Sequence, residues 1–312
     1  MHGLAYTDGA EISAPGSFTL NAVVTRFRVS GSLQLAADVF EGSGRGVVML
    51  AHGGGQTRHS WARTGQHLAA RGWTAISLDL RGHGESDWAE DGDYQLRRFC
   101  EDLMAVAASC PDRPALIGAS LGGLAGLFVE TIFGPGTFSS LTLVDIVPRA
   151  DPQGVSKILG FMGANLESGF ASLEDAADSI AAYLPHRPRP TDLSGLRKNL
   201  RLGDDGRFRW HWDPRFLSNP AAPPPRDIAP PVEPDYGAID IPVHLVRGRM
   251  SELVSLEAAQ AFLARLKHGS LTDVADAGHM VAGDRNDVFL EAVTGFLERQ
   301  AAAPTVRAPP LS

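Results

Sequence analysis

Only two cysteines, Cys100 and Cys110, occur in 312 residues, and their spacing matches neither a zinc site nor a redox CxxC pair. No disulfide framework is in use. Aromatic residues are sparse at 7%, but 44% of the chain is apolar, which suffices for a buried core and excludes disorder throughout. Nowhere do about eighteen apolar residues run uninterrupted as a membrane span requires, and the opening of the chain lacks a basic start followed by an apolar core. The expectation is a cytoplasmic protein with no membrane partner. Basic residues are the minority, 28 Lys and Arg against 36 Asp and Glu, giving a net charge of −8. That balance argues against nucleic acid and leaves small organic molecules as the default ligands. HExxH, carboxylate clusters, His/Cys arrays and GxGxxG are all missing, so neither metal nor dinucleotide is expected and no cofactor is called for.

What is present is an alternation. Short apolar runs at Val47–Ala51, Thr74–Leu80, Ala115–Ala119, Leu141–Val147, Val243–Arg247 and Ser270–Ala275 are separated by helical patterns, which predicts a parallel sheet covered on both faces. Phe18–Val29 and Leu33–Phe40 alternate around a Ser30–Gly31 turn and read as an antiparallel pair at the start. From Pro148 to about Gly237 no buried-strand run is visible. Ser172–Leu184 instead spaces its apolar residues as a helix, capped by Ser172 and Asp175. Eleven of the 21 prolines lie between Pro185 and Pro234, so Asn219–Pro234 reads as an irregular tether. The expected organisation is a tail at 1–17, a core at 18–147, a helical insertion with its tether at 148–237, the rest of the core at 238–299, and a tail at 300–312.

Three segments carry chemistry. Gly118-Ala119-Ser120-Leu121-Gly122 joins an apolar run to the helix-forming stretch Leu121–Ile132. A sharp strand-to-helix turn there needs small flanking residues, and it projects the serine hydroxyl clear of the sheet. The plainer alternative is an ordinary helix-capping serine. His52-Gly53-Gly54-Gly55-Gln56 follows another run, and its glycines leave amides uncovered as an oxyanion loop requires; Gly54 and Leu121 amides are the chosen donors. A phosphate cradle would need Gly-Lys-Ser/Thr at its end, which Gln56-Thr57 does not supply. Ala277-Gly278-His279-Met280 lies just past the last run and offers an imidazole to accept the serine proton. His52 and His83 occupy loops after strands and are assigned to shaping them. Arg81-Gly82-His83-Gly84 is read as a structural turn.

The chain resembles an α/β-hydrolase over nearly all of residues 18–299, through HGGGQ at 52–56, DLRGHGES at 79–86, GASLGG at 118–123 and AGHM at 277–280, in family order. It is most similar to the cap-bearing branch that includes epoxide hydrolases, haloalkane dehalogenases, C–C bond hydrolases and lactone-opening esterases. The resemblance implies an α/β-hydrolase fold, with a mostly parallel eight-stranded sheet, helices on both faces and an inserted helical cap at Pro148–Gly237. Epoxide hydrolases and haloalkane dehalogenases carry aspartate at the nucleophile position; Ser120 here disfavours their chemistry and suits acyl transfer.

The implied triad is Ser120, His279 and an acid. The frequent Gly-x-x-Asp slot reads Gly248-Arg249-Met250-Ser251-Glu252, with serine where the acid would stand. The same branch also places its acid at the end of the sixth strand, where Asp145 lies 25 residues after Ser120. Asp145 is preferred, with Glu252 as the alternative. Gly53, Trp210, Trp212 and Met280 are candidate pocket residues, alongside cap aromatics and methionines such as Phe161 and Met162. The expected activity is hydrolysis of an ester or lactone of a hydrophobic small molecule through an acyl-enzyme. A C–C bond hydrolase of a diketone-type substrate, a cofactor-free perhydrolase and a non-catalytic ligand receptor are the alternatives on the same fold. The oligomeric state is left open.

Overall fold

The computed structural model describes residues 22–185, 187, 189, 191–218 and 233–302. The chain enters its sheet through an antiparallel hairpin, β1 (Val23–Ser30) and β2 (Leu33–Phe40), with Val23 opposite Val39. Residues 18–21 of the expected first strand lie outside the described residues, and the turn falls at Gly31–Ser32, one residue later than expected. Five-residue strands follow at β3 (Val47–Ala51), β4 (Thr74–Leu78), β5 (Ala115–Ala119) and β6 (Ser140–Val144). An insertion carrying the short hairpin β7 (Leu200–Leu202) and β8 (Phe208–Trp210) precedes β9 (Val243–Gly248) and β10 (Gly269–Val274). The eight strands of the main sheet pair in the order β1-β2-β4-β3-β5-β6-β9-β10. Only β1–β2 and β2–β4 are antiparallel; the rest are parallel.

Period two explains why the central strands are apolar throughout. On β3, Met49 and Ala51 belong to one core layer while Val48 and Leu50 belong to the other. The first layer receives α2 (Leu96–Ala108), α3 (Leu121–Phe128) and α7 (Leu256–Leu263), through residues such as Phe99, Leu127 and Phe262. The second receives α1 (Ala62–Ala70) and α9 (Asn286–Ala302), through Leu68, Phe289, Val293 and Leu297. Each such side chain, taken from water, contributes about 1.5–3 kcal/mol. α9 runs through residue 302, so the expected tail at 300 begins inside a helix; residues 303–312 and 1–17 lie outside the described residues. Helix α3 is also shorter than expected, giving way to a π turn at Val129–Phe133. The Glu130 carboxylate there accepts from Gly136 N at 2.8 Å and Phe138 N at 2.7 Å, redirecting the chain toward β6. Among the described residues, no helix is long and apolar enough to cross a membrane.

Between β6 and β9 lie α4 (Pro152–Gly163), α5 (Leu173–Tyr183) and α6 (Arg215–Ser218), a layer we call the cap. Ser172 Oγ caps α5 by accepting from Asp175 N. Leu200, Phe170, Trp210 and Met162 form a small core of the cap's own. The β7–β8 hairpin is a feature that the expected all-helical insertion lacks. Most of the proline-rich tether, residues 219–232, lies outside the described residues. The remaining helix, α8 (Val281–Asp284), follows the loop after β10.

Candidate active site

At the carboxyl end of β5 the backbone turns into α3 through Ser120, whose φ of 45° and ψ of −112° are strained for a residue with a Cβ. The glycines around it are a steric necessity. A Cβ on Gly122 would lie 2.5 Å from Ala51 O, and one on Gly118 would lie 2.5 Å from Gly123 N. Ser120 N donates to Val144 O on the neighbouring strand, which anchors the bend. Ser120 stands at the N-cap position of α3, yet its side chain makes no capping hydrogen bond. Its backbone angles and lack of a capping bond are unlike those of an ordinary capping serine.

His279 follows β10 and is brought to Asp145, which follows β6: Nδ1 lies 2.9 Å from Asp145 Oδ2. The carboxylate is completely buried, whereas the imidazole side chain is 20% exposed. Asp145 Oδ1 accepts from Gly248 N at 3.0 Å, and Oδ2 also lies within hydrogen-bond reach of Ser251 Oγ. A buried carboxylate needs such donors, because leaving it unpaired is prohibitive. Glu252 points elsewhere. Its carboxylate takes Lys157 Nζ of α4 at 2.6 and 2.8 Å and is 63% exposed. The loop bearing His279 is held from the cap: Arg187 pairs with Asp284 and donates to Met280 O at 3.1 Å, while Asp284 accepts from Gly278 N at 2.9 Å.

The glycine loop after β3 packs directly on the bend, since a Cβ on Gly53 would lie 3.3 Å from Ser120 Cβ. Gly53 N donates to Gln56 Oε1 at 2.9 Å, and Gln56 Nε2 reaches Met280 Sδ at 3.3 Å, tying this loop to the histidine loop. Gly55 N donates to His83 Nε2 at 3.1 Å; His83 Nδ1 then donates to Arg81 O at 2.9 Å. Beneath it, His52 Nε2 accepts from Leu80 N at 3.0 Å and Nδ1 donates to Gly53 O at 2.8 Å. Both rings must be neutral to accept an amide proton. Burial lowers His52 to about 4, and burial together with the neighbouring His52 lowers His83 to about 3. Two amides of the loop's own set, those of Gly53 and Gly55, are thus spoken for. Among the described residues, Gly54 N finds no acceptor, and Leu121 N, in the first turn of α3, has no intrahelical partner.

The supporting residues are polar and deeply buried. Asp79, just past β4, accepts from Arg58 N at 2.6 Å, pairs with the Arg58 guanidinium and accepts from Glu85 N at 2.9 Å. A Cβ on Gly84, whose φ is +54°, would lie 2.2 Å from that carboxylate. Arg81 forms a bidentate pair with Asp102 of α2 at 2.6 and 2.5 Å. These partners are separated by about twenty residues and leave no local sequence pattern. The exceptions are Asp79 and Glu85, inside one motif.

The pocket candidates divide. Gly53 and Met280 lie at the loops just described. Trp212 is 2% exposed and packs between His83 and Phe216, with ring centroids 6.5 and 6.1 Å away. Its segment pairs with the turn after β4, where Gly84 N donates to His211 O and Asp213 N to Gly82 O. Trp210 is 8% exposed and packs edge-on to Phe170 in the cap's core. Both tryptophans are thus buried in packing contacts, Trp212 at the seam between cap and core and Trp210 within the cap. The cap residues nearest the glycine loop are Phe216, 3.3 Å from a Cβ on Gly54, and Met162, 2.9 Å from one on Gly55. Met162 was legible as a cap methionine; Phe216 carried no signal in the sequence. Among the described residues, no group of three or more His, Cys, Asp or Glu side chains is arranged to hold a metal ion.

Comparison with known proteins agrees with this architecture. The chain is 30% identical over 258 residues to the esterase Rv0045c of Mycobacterium tuberculosis, covering 80% of this chain and 82% of that one. It is 27% identical over 247 residues to a 3-hydroxybutyrate-oligomer hydrolase of Cupriavidus necator, covering 75% and 82%. A solved structure of the M. tuberculosis esterase matches with a TM-score of 0.69 at 27% identity, over 89% of this chain and 92% of that one. A model of the alpha/beta hydrolase family matches residues 47–292, and with the sheet order and the bend at Ser120 this establishes that the chain belongs to the alpha/beta hydrolase family.

Proposed function

We propose that the protein is a serine esterase that cleaves esters of hydrophobic small molecules through an acyl-enzyme. The observation that carries this reading is a strained Ser120 at the strand-to-helix bend together with a His279 whose Nδ1 is bound by buried Asp145. With Nδ1 engaged, Nε2 is the ring nitrogen left to take the Ser120 proton as Oγ attacks the ester carbonyl. The carbonyl π electrons move onto oxygen, where the Gly54 and Leu121 amides receive the charge. Collapse breaks the carbon–oxygen bond to the alcohol, which takes the proton from His279. Water then repeats the sequence on the acyl-enzyme, returning Ser120 and releasing the acid. Preorganised amide donors of this kind are commonly worth about a hundredfold or more in rate.

The names of the relatives support an ester over a C–C bond: an esterase and a hydrolase of 3-hydroxybutyrate oligomers. The apolar side chains over the glycine loop, Phe216 and Met162, support a hydrophobic acyl or alcohol group. The test is hydrolysis of p-nitrophenyl esters of graded chain length, with a fluorophosphonate label read by intact mass. Turnover and a single adduct, both abolished by Ser120→Ala, are expected. Turnover that survives Ser120→Ala refutes the mechanism, and no turnover with any ester refutes the activity.

A further inference from the structure

We propose that Ser251 is a positioning residue of this site, its hydroxyl donating to the acid that orients His279. The inference deepens the esterase reading and rests on it for the roles of Asp145 and His279. Three contacts fix the direction of the Ser251 hydrogen bond. Leu253 N lies 3.1 Å and Val254 N lies 3.2 Å from Ser251 Oγ, and both are donors. A serine hydroxyl has two lone pairs and one proton. The two amides take the lone pairs, so the proton is directed at the remaining neighbour, Asp145 Oδ2, 2.5 Å away. The same carboxylate oxygen accepts from His279 Nδ1, and the other oxygen accepts from Gly248 N. Asp145 is thus held by a main-chain donor on one oxygen and shared between Ser251 and His279 on the other.

The turn that presents Ser251 is itself braced. Arg247 Nε donates to Val254 O at 2.6 Å, and Asp151 N, at the start of α4, donates to Leu253 O at 2.9 Å. A Cβ on Gly154 would lie 2.4 Å from Glu252 O, so the cap helix sits directly on this turn. Arg247 is in turn paired with Asp273, and Glu252 with Lys157. Ser251 therefore has little room to rotate away from the carboxylate. In the absence of its proton, Asp145 would keep a single side-chain donor, His279, and would lose the contact that stops it swinging about its own χ angles. The consequence for turnover is misorientation of the imidazole.

A purely structural Ser251, one that only ties Leu253 and Val254 into the turn, makes a different prediction, and a double-mutant cycle separates the two. Two rates are measured for wild type, Ser251→Ala, Asp145→Asn and the double variant: p-nitrophenyl butyrate hydrolysis, and phosphonylation of Ser120 by a fluorophosphonate. Ser251→Ala is expected to lower kcat by about tenfold with KM changed less than about twofold, as fits loss of one hydrogen bond to a charged group. Ser251→Thr keeps the hydroxyl and is expected to return kcat to within about threefold of wild type. In the Asp145→Asn background Ser251→Ala is expected to change neither rate by more than about twofold. An equal loss in both backgrounds, or an unaltered kcat in Ser251→Ala, overturns the proposal. Phosphonylation needs no knowledge of the natural substrate. If no p-nitrophenyl ester of the graded series is turned over, the ester reading fails, while the labelling rates still decide the role of Ser251.

Discussion

Acid should destabilise this protein in part through two neutral histidines beneath its glycine loop. His52 and His83 are buried, and each accepts a backbone amide through Nε2. In the folded state burial lowers His52 to about 4 and His83 to about 3; unfolded, both return to about 6.5. Asp79 and Asp213 pull His83 upward but do not outweigh burial. A folded value below the unfolded one means the unfolded state binds more protons, so stability is full above about pH 6.5 and falls as the pH drops. The slope is about 1.4 kcal/mol per pH unit for each ring, or about 2 kcal/mol per histidine between pH 7 and pH 5. Against a total of about 5–15 kcal/mol, two such losses are substantial. His83→Gln keeps an acceptor for Gly55 N without titrating. Guanidinium unfolding at pH 7 and pH 5 should therefore show the variant losing about 2 kcal/mol less than wild type over that interval. Carboxylate contributions are common to both proteins and cancel in the difference. Parallel pH dependence in wild type and variant would refute the assignment of a neutral, amide-accepting His83.

Three further outcomes follow from the same geometry. Asp145→Asn should lower ester kcat by about a thousandfold or more through loss of the imidazole's orienting acceptor, whereas Glu252→Gln, at an exposed ion pair, should stay within about twofold. Gly122→Ala would press a Cβ to 2.5 Å from Ala51 O, and should cost at least about 1–3 kcal/mol in denaturant unfolding while slowing Ser120 phosphonylation. Asp102→Asn leaves the Arg81 guanidinium buried beside a neutral partner and should destabilise by about 3–5 kcal/mol, measured by the same unfolding assay.

The parallel strands were legible because each is buried on both faces and so appears as an apolar run; β3 and β5 match the expected bounds residue for residue. Strand exits were less legible, since the runs at Leu80 and Val147 continue as buried loop after β4 and β6 end at Leu78 and Val144. The β7–β8 hairpin left no trace because three residues are too few to establish a period. The packing partners of Trp210 and Trp212 were hidden for a related reason: composition reveals a large side chain but not which rings it meets. At the site, Ser120 and His279 could be singled out from local sequence alone. Choosing between Asp145 and Glu252 could not be done that way, because the choice depends on which loop the histidine meets across three strands of the sheet.

Strain in this molecule is concentrated where the chemistry is proposed. The three non-glycine residues with left-handed backbones are Ser120 at φ 45°, Asp145 at 50° and Asp276 at 55°, among the described residues. Each lies within two residues of the carboxyl end of a strand: β5, β6 and β10. Such conformations disfavour folding by about 1–3 kcal/mol apiece and persist only where the surroundings over-determine them. The surroundings here are the sheet itself. Ser120 N is tied to Val144 O and Asp145 N to Val246 O, so each bend is fastened to the next strand in the series β5, β6, β9. Main-chain hydrogen bonds between strands are insensitive to side-chain identity, whereas the tolerance of the bends for side chains is narrow. The scaffold can therefore keep the serine and the acid at fixed separation while cap residues outside the braces on the Ser251 turn and the His279 loop are free to vary in sequence. Substrate preference should accordingly move with substitutions at Phe216 and Met162, and the proton-transfer geometry should not.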